Sequence, residues 1–138
     1  MDPRISLVTL AVADVARSRR FYLEGLGWKP EFEASDIFMV RAGEHLILSL
    51  WDRDRFQKEV GQISAGDGVA PLTLAHNVGT RGEVDEILRT ARDIGAESVA
   101  EAVEREWGGY SGYFGDPDGY RWEVAFAPSP VNDVVLPD

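Results

Sequence analysis

Glu123 and Arg121 stand two residues apart in the run Tyr120 to Ala127, whose composition marks a strand. Side chains two apart on a strand share a face, so a carboxylate and a guanidinium are presented together. A carboxylate so placed can pair with a neighbour, receive a cationic ligand, or act as a general base. Trp51 and Tyr113 end or lie within other strand-like runs. Their rings can stack on a flat ligand or a cation, and equally serve plain packing. The two histidines are His45 and His76, too few for a triad unless assembled by chance. Tyr110-Ser111-Gly112 lacks the first glycine of a nucleophile elbow. Gly108-Gly109 is too short for a phosphate-binding loop or a dinucleotide fingerprint; with Trp107 and Tyr110 it makes either a glycine-lined loop or a tight strand connection.

Composition narrows the classes further. The chain has 138 residues, enough for one domain with a core of its own. It contains no cysteine, which excludes disulfides, thiolate chemistry and cysteine metal sites. With 24 acidic and 14 basic residues the net charge is −10, which disfavours nucleic-acid binding and attracts cations. Arg17, Arg19 and Arg20 cluster on the first helix, where a solvated face is expected. No apolar run approaches the roughly 20 residues of a membrane-spanning helix. Met1 to Arg4 run straight into a strand-like stretch, leaving no room for a signal peptide, so a cytoplasmic protein is expected.

The elements that must position these residues occur in one order, used twice. Ile5 to Val12 is a β-rich run, and Asp14 stands as the cap of a helix over Val15 to Leu26, stopped by Gly27. Extended runs follow at Lys29 to Ala34, Asp36 to Arg41 and His45 to Trp51. Pro71 to Val78 opens the second round. Thr80 and Glu83 fit a reciprocal capping box, and Val84, Ile87, Leu88, Ala91 and Ile94 follow a helical period up to Gly95. Runs at Ser98 to Val103, Tyr110 to Gly115 and Tyr120 to Ala127 complete it, the last two joined by the turn Asp116-Pro117-Asp118-Gly119. The chain thus reads βαβββ twice: an α+β fold with module one at 5–51, a linker at 52–69, module two at 70–128 and a tail at 129–138. The linker holds a weakly helical piece, Arg53 to Val60, and a flexible stretch, Ser64 to Gly68. The tail is expected on the surface or against a partner.

The paired modules, the opening LVTLAVADVARSRRFYLEGLGW and the closing GYFGDPDGYRWEVAF resemble the vicinal-oxygen-chelate superfamily, the glyoxalase/bleomycin-resistance/dioxygenase group. The similarity spans Ile5 to Pro128, and EWGGYSGYFGDPDGYRWEVAF resembles its small bacterial glyoxalase-like members. The resemblance implies curved mixed sheets around a shared cavity, a homodimer, and in metal-using members one divalent ion held by residues of the first and last strands of the modules.

Those ligand positions fall on Leu7, Ile47, Thr73 and Glu123. Two are aliphatic, and a catalytic metal usually takes about three protein ligands. The expectation is therefore no metal and no cofactor. Strand parity within the family frame puts His45, Trp51, Thr73, Tyr113, Arg121 and Glu123 on the cavity face as ligand-binding residues, with Glu123 the candidate for catalysis. Asn77 shares that face, and His76 points to the helix side as a structural residue. Three functions stay open: a metal-independent binding protein for an aromatic or cationic small molecule, of the sequestering kind; a lyase, isomerase or dioxygenase using an unorthodox metal site at Glu123 and His45, or Glu123 alone as acid–base; and a regulatory or interaction module whose cavity is filled by Leu7, Ile47, Trp51 and Tyr113.

Overall fold

The computed structural model describes residues 1–64 and 66–137. Ala65, in the expected flexible stretch, and Asp138, in the expected tail, lie outside the described residues. The chain divides into two compact units, Met1–Asp67 and Gly68–Asp138. Each carries a four-stranded mixed sheet. No described helix is long and apolar enough to cross a membrane.

In the first unit β1 (Leu7–Val12) runs parallel to β4 (Ile47–Asp52), and β3 (Ile37–Arg41) and β2 (Pro30–Ala34) follow antiparallel. Leu7 pairs with Ile47, Thr9 with Ser49 and Ala11 with Trp51. Alternate residues form the core: Leu10, Val12, Phe38, Val40, Leu48 and Leu50 are buried, as are Phe21 and Tyr22 from the helix. Asp14 caps that helix by accepting the Arg17 amide at 3.0 Å.

The expected helix over 15–26 is not uniform. It is α-helical as α1 (Val15–Arg19), then widens into a π-helical turn over Arg20–Gly25. The Leu26 amide reaches back five residues to the Phe21 carbonyl, and Gly27 turns the chain with φ +73°. Nor is its arginine cluster a solvated face throughout. The Arg19 guanidinium donates to the carbonyls of Ala34 and Ile37 and pairs with Glu33, which ties the β2–β3 turn to the helix.

Asp52 ends β4 and caps α2 (Arg53–Glu59), accepting the amides of Asp54 and Arg55.

In the second unit β5 (Thr73–Asn77) runs parallel to β8 (Arg121–Phe126), with β7 (Tyr110–Gly115) and β6 (Val99–Glu104) antiparallel beyond it. Helix α3 (Arg81–Asp93) packs on β6, β7 and β8. Its periodic residues Val84, Leu88 and Ala91 are buried, as the sequence pattern requires. Gly112 lets the helix approach: a Cβ there would meet Leu88 Cδ1 at 2.5 Å and the Ala100 carbonyl at 2.6 Å. At the helix start the Thr80 hydroxyl accepts the Glu83 amide at 3.2 Å. The reciprocal half of the expected box is replaced, since the Glu83 carboxylate accepts the Thr80 hydroxyl proton at 2.8 Å instead of a backbone amide.

Two further details add to the sequence expectations. The tail lies mostly exposed and forms α4 (Val131–Val135), in which Asn132 alone is buried among the described residues. The Asn132 amide donates to the Val78 carbonyl at 3.0 Å and its carbonyl oxygen accepts from Asn77 at 2.9 Å. The Asp-Pro-Asp-Gly turn is held by Asp116, which is fully buried and accepts the amides of Asp118 and Tyr120, each at 2.9 Å.

Candidate functional site

One face of the second sheet gathers most of the polar residues singled out above. α3 covers the other face, where Gly112, Phe114, Trp122 and Val124 lie. On the face opposite α3 three cross-strand rows follow each other. The first joins Thr73, Arg121 and Gly115, the second Ala75, Glu123 and Tyr113, the third Asn77, Ala125 and Ser111. Thr73, Tyr113, Arg121 and Glu123 are therefore brought together, two rows deep.

The second row holds the central contact. The Tyr113 hydroxyl donates to Glu123 Oε1 at 3.0 Å. Burial, then the hydrogen bond and charge of Glu123, push the Tyr113 phenol above its ordinary pKa, while Arg105 opposes them. The Arg105 guanidinium lies 5.6 Å from the Tyr113 ring centroid and donates to the hydroxyl and carbonyl of buried Ser111 at 3.0 and 2.9 Å. In the first row the Arg121 side chain crosses Gly115, where any Cβ would overlap its guanidinium. Thr73 is committed differently: its hydroxyl donates to the Arg121 carbonyl at 3.1 Å and fastens the β5 edge.

Arg105 escaped the sequence reading. An irregularity between Ala100 and Val103 in β6 breaks the two-residue alternation, so both face the same rows as Tyr113 and Ser111. Parity counted from Ser98 cannot place Arg105. The available signal was Gly108-Gly109, which closes a tight β6–β7 connection: the Arg105 amide bonds to the Gly109 carbonyl at 2.8 Å and the Gly108 amide to the Arg105 carbonyl at 2.9 Å.

The first unit holds the other two candidates. Trp51 is half-buried and packs edge-to-face on Phe56 of α2, with centroids 6.1 Å apart. His45 does not lie on β4, as strand counting expected. The strand starts at Ile47, and the Ala42–Leu46 backbone bond keeps His45 in the preceding turn, with its side chain 87% exposed beside Glu44. His76 does share the helix-side row with Val124, but it is exposed rather than packed.

The sequence profile described as Glyoxalase/Bleomycin resistance protein/Dioxygenase superfamily matches residues 4–124. The chain belongs to this superfamily. A solved "glyoxalase-related enzyme" from Fulvimarina pelagi is 32% identical, with 91% of this chain and 89% of that one covered and a TM-score of 0.81. A glyoxalase/bleomycin resistance protein/dioxygenase from Nocardioides is 22% identical over 94% of this chain and 87% of that one, TM-score 0.75. A lactoylglutathione lyase from Agrobacterium tumefaciens is 20% identical over 91% and 95%, TM-score 0.70, a likeness of fold alone. No curated protein matches the chain.

The superfamily's metal positions can now be weighed by donor chemistry. Leu7 and Ile47 have no donor atom, Thr73 offers only a neutral hydroxyl, and Glu123 alone of the four supplies a carboxylate. These residues do not fit a catalytic ion, which takes about three protein ligands. Among the described residues no group of three or more histidines and carboxylates is placed to hold one.

Proposed function

We propose that this member of the superfamily is a metal-independent binding protein for an aromatic or cationic small molecule, working as a cytoplasmic homodimer. The observation that carries this reading is the half-buried Tyr113–Glu123 pair on the face of the second sheet opposite α3, with the Arg121 side chain one row away. A few fixed polar groups beside an aromatic ring give orientation and specificity, the usual make-up of a small-molecule site. Glu123 offers a carboxylate and Tyr113 a ring face to a flat cation. The acidic balance of the chain favours the approach of such ligands. A thermal-shift screen of aromatic and cationic compounds, run with a chelator present, tests it. A stabilising compound that loses its effect in Glu123→Ala supports the proposal; stabilisation that appears only with added metal sinks it.

A second reading, an enzyme on the same fold, is favoured by the same hydrogen bond. The Tyr113 hydroxyl and Glu123 carboxylate form a donor–acceptor pair that can pass a proton, and the Fulvimarina relative is described as an enzyme. Glu123 would then remove a substrate proton as general base. Wash-in of deuterium from heavy water into carbonyl compounds, followed by NMR, would reveal it. Equal wash-in with Glu123→Gln would dismiss it.

A further inference from the structure

Arg121 and Glu123 are both left with hydrogen-bonding capacity that no described residue uses. The Arg121 guanidinium has no hydrogen-bond or ion-pair partner among the described residues; Gly115 gives it room to lie across β7. Glu123 Oε1 accepts from Tyr113, while Oε2 accepts nothing from the described residues. The two residues occupy successive rows of one face, roughly 7 Å apart along the strand. They form no salt bridge with each other, although opposite charges at that spacing could close one. A half-buried guanidinium and a half-buried carboxylate held apart on one face present a dipole.

We infer that the ligand of this face is itself dipolar, with a carboxylate or other anionic group at Arg121 and an ammonium or similar donor at Glu123, its flat body against Tyr113. The inference rests on the binding-protein reading above and narrows the ligand class. A planar guanidinium suits a carboxylate because it can donate two parallel bonds. A carboxylate already accepting a phenol proton still has lone pairs for an ammonium. The overall charge of −10 adds a reason: a purely anionic ligand is repelled over distance, whereas a dipolar ligand carries no net charge to be repelled. A purely cationic ligand would leave the guanidinium facing it.

The probes are 4-(aminomethyl)benzoate, which carries both ends, and benzoate and benzylamine, which carry one each. Their affinities for the full chain are measured by calorimetry at low salt with a chelator present. A charge-assisted hydrogen bond contributes enough for about tenfold or more in affinity. The dipolar probe is therefore expected to bind about tenfold tighter than either fragment. Arg121→Gln should reduce it to the benzylamine level, and Glu123→Gln to the benzoate level. If a single-ended probe binds the wild-type protein as tightly as the dipolar one, the inference is overturned while the binding reading stands. If none of the three binds at millimolar concentration, the inference is overturned too; the binding reading falls only when the broader thermal-shift screen is also empty. The wild-type comparison decides the matter even where a variant fails to fold.

Discussion

At the scale of single residues, Tyr113 gives the sharpest expectation. Its phenol is raised above the ordinary value, first by burial and then by Glu123. Ultraviolet titration, differenced against Tyr113→Phe, should place it above the ordinary phenol value of about 10. Glu123→Gln should bring it back toward that value. The sign for stability follows from linkage: the native state holds this proton more tightly than the unfolded chain. The contribution is fully present below the ordinary phenol pKa and is lost as pH rises through the native one. Urea unfolding on both sides of that window should show the loss in the wild type and less of it in Tyr113→Phe. Arg105→Ala should cost about 1–3 kcal/mol, since it strips the partner from the buried Ser111 carbonyl and hydroxyl. A denaturation midpoint unchanged from wild type would show that water replaces the guanidinium.

At the scale of elements, the helix-to-sheet packing of the second unit turns on Gly112. Gly112→Ala should destabilise by about 1–3 kcal/mol, because the new methyl meets both Leu88 and the Ala100 backbone. Asn132→Ala should cost a similar ~1–3 kcal/mol by unpairing Asn77 and the Val78 carbonyl; a smaller effect in thermal melts would mean that α4 is dispensable. The order of strands and helices was legible in the sequence because it is written in local chemistry: the Asp14 and Thr80 caps, the period of Val84, Leu88 and Ala91, and the Asp116 turn. What was hidden depends on partners far along the chain. The π-helical widening over Arg20–Gly25 has no local signal, and the burial of Asn132 needs β5 to be in place. His45 was misplaced because the turn closed by Ala42 and Leu46 takes two residues from the expected strand. Arg105 was missed because one irregularity in β6 reverses every later parity.

At the scale of the whole molecule, the chain carries one βαβββ plan twice, yet the two sheets differ in chemistry. The face of β1 and β4 that bears Leu7, Ala11, Ile47 and Trp51 is largely apolar, whereas the matching face of β5, β8 and β7 carries Thr73, Glu123, Arg121 and Tyr113. That contrast favours the second sheet as the proposed face of ligand recognition. A homodimer is expected in sedimentation velocity at micromolar concentration, and a monomer throughout would remove that part of the proposal. The central claim, binding without a metal, is tested most directly by elemental analysis of the purified protein. The measurement is repeated after incubation with zinc, nickel, manganese and, without oxygen, ferrous iron. The account predicts no stoichiometric ion under any of these conditions. A stoichiometric ion that disappears in Glu123→Ala would contradict it.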